Sequence, residues 1–307
     1  MKTALDTSHT LNAVNCPVMA TLITADLDAT LLAYSGVLGY THIETEPLSP
    51  AIAKHFGADS LSGARTTLLA PKSGAPVFLR CIEFEDAMRS TASCGWFALE
   101  ICVQDVEALY ETLKTSESIV PFAAPKPLAF TDRVYPMQCK GPRGEILYLN
   151  QVRGSLPDID LPIASSPVDH LFIAILSAAD MEPSIEFYED LLGMRVNERH
   201  EIPYKTINRI HGLPLETMHK LSTLGGKRSV ALEIDQWPAQ SGAPKMQNSD
   251  QISEGIFMVS FVVDDLSKEG SNFLSGTKPI ISAPYDGAQS AIALGPSGER
   301  TELIAFK

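Results

Sequence analysis

The stretch FYEDLLGM at residues 187–194 decides the fold, because the other half of the chain contains a counterpart of it. That counterpart is AYSGVLGY at residues 33–40, which lies 154 positions earlier. The same offset relates GPRGEILYL, which begins at Gly141, to GPSGERTEL, which begins at Gly295. An offset that is kept across a whole half of the chain indicates an internal duplication.

Each half divides again into two units that begin in the same way. The four openings are apolar runs: VMATLITADLD, WFALEICVQDV, DHLFIAIL and IFMVSFVVDDL. Short runs of Val, Ile, Phe and Leu predict strands. An Asp after such a run predicts the N-cap of a following helix, and Gly39 and Gly193 stand where the helix should end. The repeated unit is therefore strand, helix and three further strands, and it occurs four times.

The segment at residues 153–165 is rich in Pro, Ser and Asp and has neither a helical nor a strand period. We interpret it as a linker between an N-terminal domain at residues 1–152 and a C-terminal domain at residues 166–307. A chain of 307 residues is long enough for two such domains. The polar stretch at residues 236–253 is predicted to connect the two units of the C-terminal domain and to form a lid.

Composition narrows the class of protein. The net charge of −13 argues against a nucleic acid backbone as the main partner. We expect no membrane partner, because no stretch approaches the roughly 18 apolar residues of a membrane helix. The beginning of the sequence lacks the pattern of a signal peptide. Five cysteines without a CxxC pair indicate reduced thiols in a cytoplasmic protein.

The succession of a strand, a helix ending in F/Y-x3-LG, three strands and a closing P-x-G-x3-acid resembles the vicinal oxygen chelate superfamily. Glyoxalase I, the bleomycin resistance proteins and the extradiol dioxygenases belong to it. The resemblance implies an α+β fold of four βαβββ modules in two tandem domains, each pair of modules forming an open barrel around a cavity. It also implies a small-molecule substrate and allows for a homodimer.

In metal-binding members of this superfamily, each module offers one ligand from its first strand and one from its last. In the C-terminal domain these positions fall on His170, Glu233, Met258 and Glu302. The resemblance thus implies one divalent metal ion on His170, Glu233 and Glu302, with Fe, Mn, Ni, Zn and Mg not distinguished. Such an ion, with coordination positions left open, chelates two adjacent substrate oxygens. Met258 departs from the pattern, because a thioether is a weak ligand for hard metals.

The corresponding positions of the N-terminal domain fall on Met19 or Ala20, and on Arg80, Ala98 and Tyr148. None of these is a credible ligand for a hard metal ion, and a guanidinium would repel a cation. We therefore expect a metal-free N-terminal domain.

We expect an enzyme, an isomerase, epimerase or lyase that acts on a small carbonyl substrate through a metal-chelated enediolate. Glu233 or Glu302 would be the general base. The segment at residues 199–214 should line the cavity and bind substrate through His200, Tyr204, Arg209 and His211. An Fe(II) extradiol dioxygenase is one alternative, although it needs a second histidine where Met258 stands. A metal-free binding or resistance protein is the other.

Overall fold

The computed structural model describes residues 5, 16–88, 94–129, 131–238, 252–266 and 272–306. These residues form two mixed sheets of eight strands each, with short helices between the strands. The arrangement confirms an α+β fold of βαβββ modules. In chain order, four strands make up each module.

The first two modules contain strands β1 to β8. They are β1 (Pro17–Thr24), β2 (Thr41–Pro47), β3 (Arg65–Ala70), β4 (Phe78–Glu83), β5 (Gly95–Val103), β6 (Val120–Pro121), β7 (Val134–Lys140) and β8 (Ile146–Val152). The last two modules contain strands β9 to β16. They are β9 (Val168–Ala178), β10 (Arg195–Pro203), β11 (Met218–Gly225), β12 (Leu232–Gln236), β13 (Gly255–Val262), β14 (Phe273–Pro279), β15 (Gln289–Leu294) and β16 (Arg300–Ala305).

The helices are short. They are α1 (Leu27–Leu31), which continues as a π-helical turn (Leu32–Val37), α2 (Pro50–His55), α3 (Val106–Leu113), α4 (Met181–Leu192) and α5 (Lys205–Ile210), with a 3₁₀ turn at Asp59–Leu61.

Aspartate side chains cap three of these helices, as the sequence predicts. Asp26, Asp105 and Asp180 each stand just before a helix and accept a hydrogen bond from a backbone N–H group of its first turn. These bonds satisfy donors that the helix itself leaves unpaired. At the other end of α4, Gly193 has φ of 64°, which glycine adopts without the steric cost of a side chain. The local signals in the sequence therefore set both ends of this helix.

The modules pair across the two halves of the chain. Sheet 1 has the order β14-β15-β16-β13-β1-β4-β3-β2, so it joins the first and fourth modules. Sheet 2 has the order β10-β11-β12-β9-β5-β8-β7-β6 and joins the second and third modules. In each sheet the two modules meet through their first strands, which are antiparallel: β1 with β13, and β5 with β9. The expectation that each half forms its own barrel is corrected by this pairing.

The two sheets pack against each other, and the helices contribute to the same cores. One core joins Leu79 of sheet 1 to Leu99 of sheet 2. A second core joins Leu232 of sheet 2 to Leu303 of sheet 1, with Tyr188 of α4 between them. We call these the near faces of the sheets. Because side chains alternate along a strand, the intervening residues point the other way, onto what we call the far faces.

Some expectations concern other parts of the chain. The predicted connection at residues 236–253 lies mostly outside the described residues. The linker at residues 153–165 has neither helix nor strand. All five cysteines are free thiols. Within the described ranges, no helix has both the length and the apolar character needed to span a membrane.

Candidate active site

Glu302 lies on the far face of sheet 1 and is fully buried. Its carboxylate accepts hydrogen bonds from Ser260 Oγ at 2.5 Å, Tyr285 Oη at 2.8 Å and Ser290 Oγ at 2.7 Å. Hydrogen bonds to a charged acceptor are the strong ones, and three of them use most of its capacity. Glu302 is therefore held by its own sheet and has little capacity left for a metal ion.

Arg80 brings a positive charge to the same network. Its Nη2 donates to Tyr285 Oη at 3.0 Å, so Tyr285 links the guanidinium to Glu302. The guanidinium carbon lies 5.2 Å from the centre of the Tyr285 ring and 5.3 Å from that of the Phe56 ring. A buried guanidinium repels a divalent cation, and the fully buried Met258 offers only a thioether. The far face of sheet 1 is thus poorly suited to a hard metal ion.

The structure does not bring His170, Glu233 and Glu302 together, so the expected single metal site is corrected. Glu302 lies in sheet 1, whereas His170 and Glu233 lie in sheet 2, and the two far faces point away from each other. Within sheet 2, Glu233 pairs with Ile175 of β9. His170 is five residues before Ile175 on β9. At about 3.3 Å per residue, it therefore lies about 16 Å from the position of Glu233. The expected set assumed that the modules of one half share a sheet.

Three carboxylates do share one surface, the far face of sheet 2. Glu100 pairs with Ile173 of β9 and Glu233 with Ile175, while Asp235 follows Glu233 by two positions. Strand alternation therefore places all three on the same side. Asp235 is fully buried, whereas Glu100 and Glu233 are half-buried. Two half-buried glutamates thus stand beside an aspartate that solvent does not reach.

Burial is the largest cause that raises the pKa of each of these carboxyl groups. The nearby charge of Glu233 raises the pKa of Glu100 and of Asp235 further. Neither carboxylate oxygen of Asp235 accepts a well-formed hydrogen bond, but Glu233 and Tyr204 lie close enough to shift its pKa. Leaving a buried polar group unpaired costs about 1–3 kcal/mol. The cluster therefore favours the uptake of a proton or of a cation.

Two tyrosines lie against the carboxylates. Tyr204, the residue before α5, donates from Oη to Glu233 Oε1 at 3.1 Å. Tyr148 pairs with Glu100 in the β5–β8 ladder, and its Oη lies 2.6 Å from Tyr204 Oη. Burial raises the pKa of both phenols well above the ordinary value. Both tyrosines therefore remain neutral, and the Tyr204 hydroxyl serves Glu233 as a hydrogen-bond donor.

The other residues expected to bind substrate have different surroundings. His200 lies 2.7 Å from Glu198 at an exposed position, and its charge lowers the pKa of Glu233. Arg209 is exposed to solvent. The His211 ring meets the Trp237 ring edge-on at 4.5 Å. Of the four expected residues, Tyr204 is the one whose hydrogen bond to Glu233 the structure records.

Sequence reasoning missed Glu100 and Asp235. Each lies two positions along a strand from a residue already placed on the far face, Ala98 and Glu233 respectively. The signal was the second acidic residue of LEID and the acidic residue inside the apolar run FALEICV. An acid in a strand that is otherwise apolar carries a high desolvation cost unless it has a role.

His170 lies further along the same far face, near the start of β9. Its Nδ1 lies 3.0 Å from Asp169 Oδ1 and 3.7 Å from Cys102 Sγ. Among the described residues, these three form the group whose candidate metal-binding atoms all lie within 4.8 Å of one another. Asp169, however, already accepts hydrogen bonds from Ser73 Oγ and from the Ser165 N–H group. The group is therefore better suited to orienting His170 than to holding a metal ion.

Burial alone would lower the pKa of His170, but Asp169 and Cys102 outweigh it and raise the pKa to about 10. The pKa of Asp169 is lowered, because its hydrogen bonds to His170, Ser73 and Ser165 outweigh the effect of burial. At neutral pH His170 is thus an imidazolium that is paired with a carboxylate. Its side chain is 25% exposed, so a ligand can reach it.

Comparisons with known proteins agree with this architecture. The family model described as Glyoxalase/Bleomycin resistance protein/Dioxygenase superfamily matches residues 168–303. No curated protein matches the sequence.

Two solved structures resemble almost the whole chain. A mutant form of glyoxalase I from Zea mays superposes with a TM-score of 0.62 at 17% identity, covering 94% of this chain and 93% of its own. A putative dioxygenase from Bacillus subtilis superposes with a TM-score of 0.63 at 10% identity, covering 95% of this chain and 86% of its own. At such identities the similarity establishes the fold. The family match covers the C-terminal half of the chain, and the structural similarity extends the shared fold to all four modules.

Proposed function

We propose that the protein is an enzyme of the glyoxalase type, an isomerase, epimerase or lyase, whose active site is the far face of sheet 2. It would remove a proton from a carbon atom next to the carbonyl group of a small substrate. The observation that carries the proposal is the fully buried Asp235, whose oxygens accept no well-formed hydrogen bond, beside two half-buried glutamates.

Glu233 is the general base in this proposal. A carboxylate whose pKa is raised accepts a proton from carbon more readily than an ordinary one, and it returns that proton as an acid. Burial is what raises the pKa of Glu233, and it outweighs the hydrogen bonds from Asp235 and Tyr204, which lower it. Tyr204 holds Glu233 in position through its hydrogen bond to Oε1. The chain thus supplies the base, its orientation and its altered proton affinity.

The resemblance implies a divalent metal ion, and the donor set on this face fits one. The oxygens of Asp235, which accept no well-formed hydrogen bond, and the half-buried carboxylates of Glu100 and Glu233 are hard oxygen donors of the kind that Mg²⁺ and Mn²⁺ prefer. Glu100 and Asp235 would hold the ion, with Glu233 beside it as the base. When bound, it would polarise the substrate carbonyl and so acidify the neighbouring C–H bond.

The alternatives are less favoured. A dioxygenase site of two histidines and a carboxylate does not match a cluster of three carboxylates. A purely binding function gives no reason for burying Asp235 without a well-formed hydrogen bond at a cost of about 1–3 kcal/mol.

The test measures exchange of carbon-bound hydrogen for deuterium in D₂O. A panel of small ketones and 2-hydroxyketones would be incubated with the protein, with and without Mg²⁺ or Mn²⁺, and followed by proton NMR. Glu233→Gln should slow exchange about 10²- to 10⁴-fold, the usual contribution of a general base. Glu46→Gln changes an exposed glutamate of sheet 1 and is the matched control. Equal exchange by Glu233→Gln and wild type would refute the assignment of the base.

A further inference from the structure

We infer that the substrate carries an anionic group that binds the His170 imidazolium, and a hydroxyl group beside it that donates to Asn150 Oδ1. The inference rests on the proposed function, because it assigns a substrate class to the same far face. The class is that of carboxylic acids with a hydroxyl group near the anionic end and a chain long enough to reach the carboxylates of Glu100 and Glu233, the latter about 16 Å from His170.

The first support is the geometry of His170. The Asp169 carboxylate engages Nδ1 at 3.0 Å, which leaves Nε2–H as the donor available to a ligand. The side chain is 25% exposed, whereas Asp169 is 1% exposed. The pair thus exposes the positively charged imidazolium of His170 to a ligand and buries the carboxylate of Asp169. An anionic oxygen that meets Nε2–H forms a charge-assisted hydrogen bond.

The second, independent support is Asn150. It is buried, and its Oδ1 has no hydrogen-bond partner among the described residues. Its Nδ2 donates to Glu100 Oε2, and this bond fixes the orientation of the amide. A buried acceptor without a donor is rare in proteins and calls for a ligand or an ordered water molecule. Asn150 therefore offers an acceptor to a hydroxyl group.

The third support is the order of these groups along the face. Asn150 pairs with Cys102 in the β5–β8 ladder, and Cys102 Sγ lies 3.7 Å from His170 Nδ1. Asn150 also contacts Glu100, whose pKa responds to Glu233. Along the surface, the His170 cation is thus followed by the Asn150 acceptor and then by the carboxylates of Glu100 and Glu233. A molecule with its anionic group at one end and its acidic C–H bond at the other matches this order.

The test uses three probes that differ by one group each: 3-hydroxybutyrate, butyrate, which lacks the hydroxyl, and methyl 3-hydroxybutyrate, which lacks the charge. Binding would be followed through the His170 ring nitrogens in ¹⁵N NMR spectra. We expect saturable shifts with 3-hydroxybutyrate, about tenfold weaker binding of butyrate, and no saturable shift with the ester. His170→Gln should weaken binding of 3-hydroxybutyrate at least tenfold, and Asn150→Leu should abolish its advantage over butyrate. His42→Gln, at an exposed position of sheet 1, is the matched control.

The inference is overturned if the ester binds as tightly as the acid, or if saturating acid leaves the His170 resonances unchanged. The probe series on wild-type protein gives this answer even if a variant fails to fold. The outcomes also separate the two proposals. Anion binding at His170 together with full exchange activity in Glu233→Gln would refute the proposed function alone. Exchange that needs Glu233 but is equally fast for neutral and anionic substrates would refute the anion site alone.

Discussion

Glu233 and Glu302 lie in the last strands of the third and fourth modules, and their surroundings differ. Glu302 is fully buried and accepts three hydrogen bonds, one of them from a tyrosine that Arg80 also contacts. Glu233 is half-buried, accepts from Tyr204, and has two further carboxylates as neighbours. The same strand position thus gives a fully hydrogen-bonded acid in one sheet and a half-buried acid within an acidic cluster in the other.

The partner module from the other half of the chain makes the difference. The first module brings Arg80 to Glu302, whereas the second module brings Glu100 and Tyr148 to Glu233. The duplication produced two equivalent far faces. Because the modules pair across the two halves of the chain, each far face contains a different set of charged residues. Substitutions that remove a distinguishing charged residue from each far face test this difference.

The largest expected effect is on sheet 1. Arg80→Met removes the cation that Tyr285 links to Glu302 and leaves that buried carboxylate without a nearby positive charge, so it should lower the free energy of unfolding by about 3–5 kcal/mol. Arg65→Met is the matched control, because its side chain is 51% exposed and its ion pairs with Asp28 and Glu83 should contribute less than about 1 kcal/mol. Urea denaturation measures both. Similar losses in the two variants would show that the Arg80 network is not a special stabilising feature.

On sheet 2 the expected effect has the opposite sign. The pKa of Asp235 is raised in the folded protein, so its contribution to stability is complete below the unfolded pKa and is lost as pH rises. Asp235→Asn should therefore raise the free energy of unfolding by about 1–3 kcal/mol at pH 8 and by less at pH 4. Asp158→Asn, at an exposed position of the linker, should change little. A destabilised Asp235→Asn variant at pH 8 would contradict the account.

The smallest expected effect concerns His170. Its pKa is raised from 6.5 to about 10, so the imidazolium stabilises the folded protein fully below pH 6.5 and loses this effect as pH rises toward 10. His170→Gln should cost about 1.5 kcal/mol at pH 6, the lower end of the range for a hydrogen bond to a charged group, because the side chain is partly exposed. The cost should shrink as pH approaches 10. Thermal denaturation over this pH range measures it, and a cost independent of pH would exclude the ion pair.

Local features of the fold could be predicted from the sequence. An aspartate after an apolar run predicts the start of a helix, because its short side chain accepts from a free backbone N–H group. This holds for Asp26, Asp105 and Asp180, and Gly193 predicts the end of a helix. The interactions that they make lie within a few residues of chain. The βαβββ modules therefore follow from local chemistry together with the 154-residue repeat.

The composition of the site could not be predicted in the same way. The four first strands are similar apolar runs, and nothing in them states which two will pair, so Glu302 was grouped with Glu233. Register along β9 was equally hidden. His170 was placed beside Glu233, whereas Ile175 occupies that position. Long-range pairing and register decide which acids meet, and neither has a signal in a single sequence.

The most direct test of the central claim is ¹³C NMR of the side-chain carboxyl carbons, recorded from pH 4 to 9 with and without Mg²⁺. Glu100→Gln, Glu233→Gln, Asp235→Asn and Glu302→Gln would assign the resonances. The account predicts that Glu100, Glu233 and Asp235 titrate above the ordinary range of carboxyl groups and shift when Mg²⁺ is added, while the Glu302 resonance does not respond to the ion. Ordinary titration of the three sheet 2 carboxyls without a response to Mg²⁺, or a response at Glu302 alone, would contradict it.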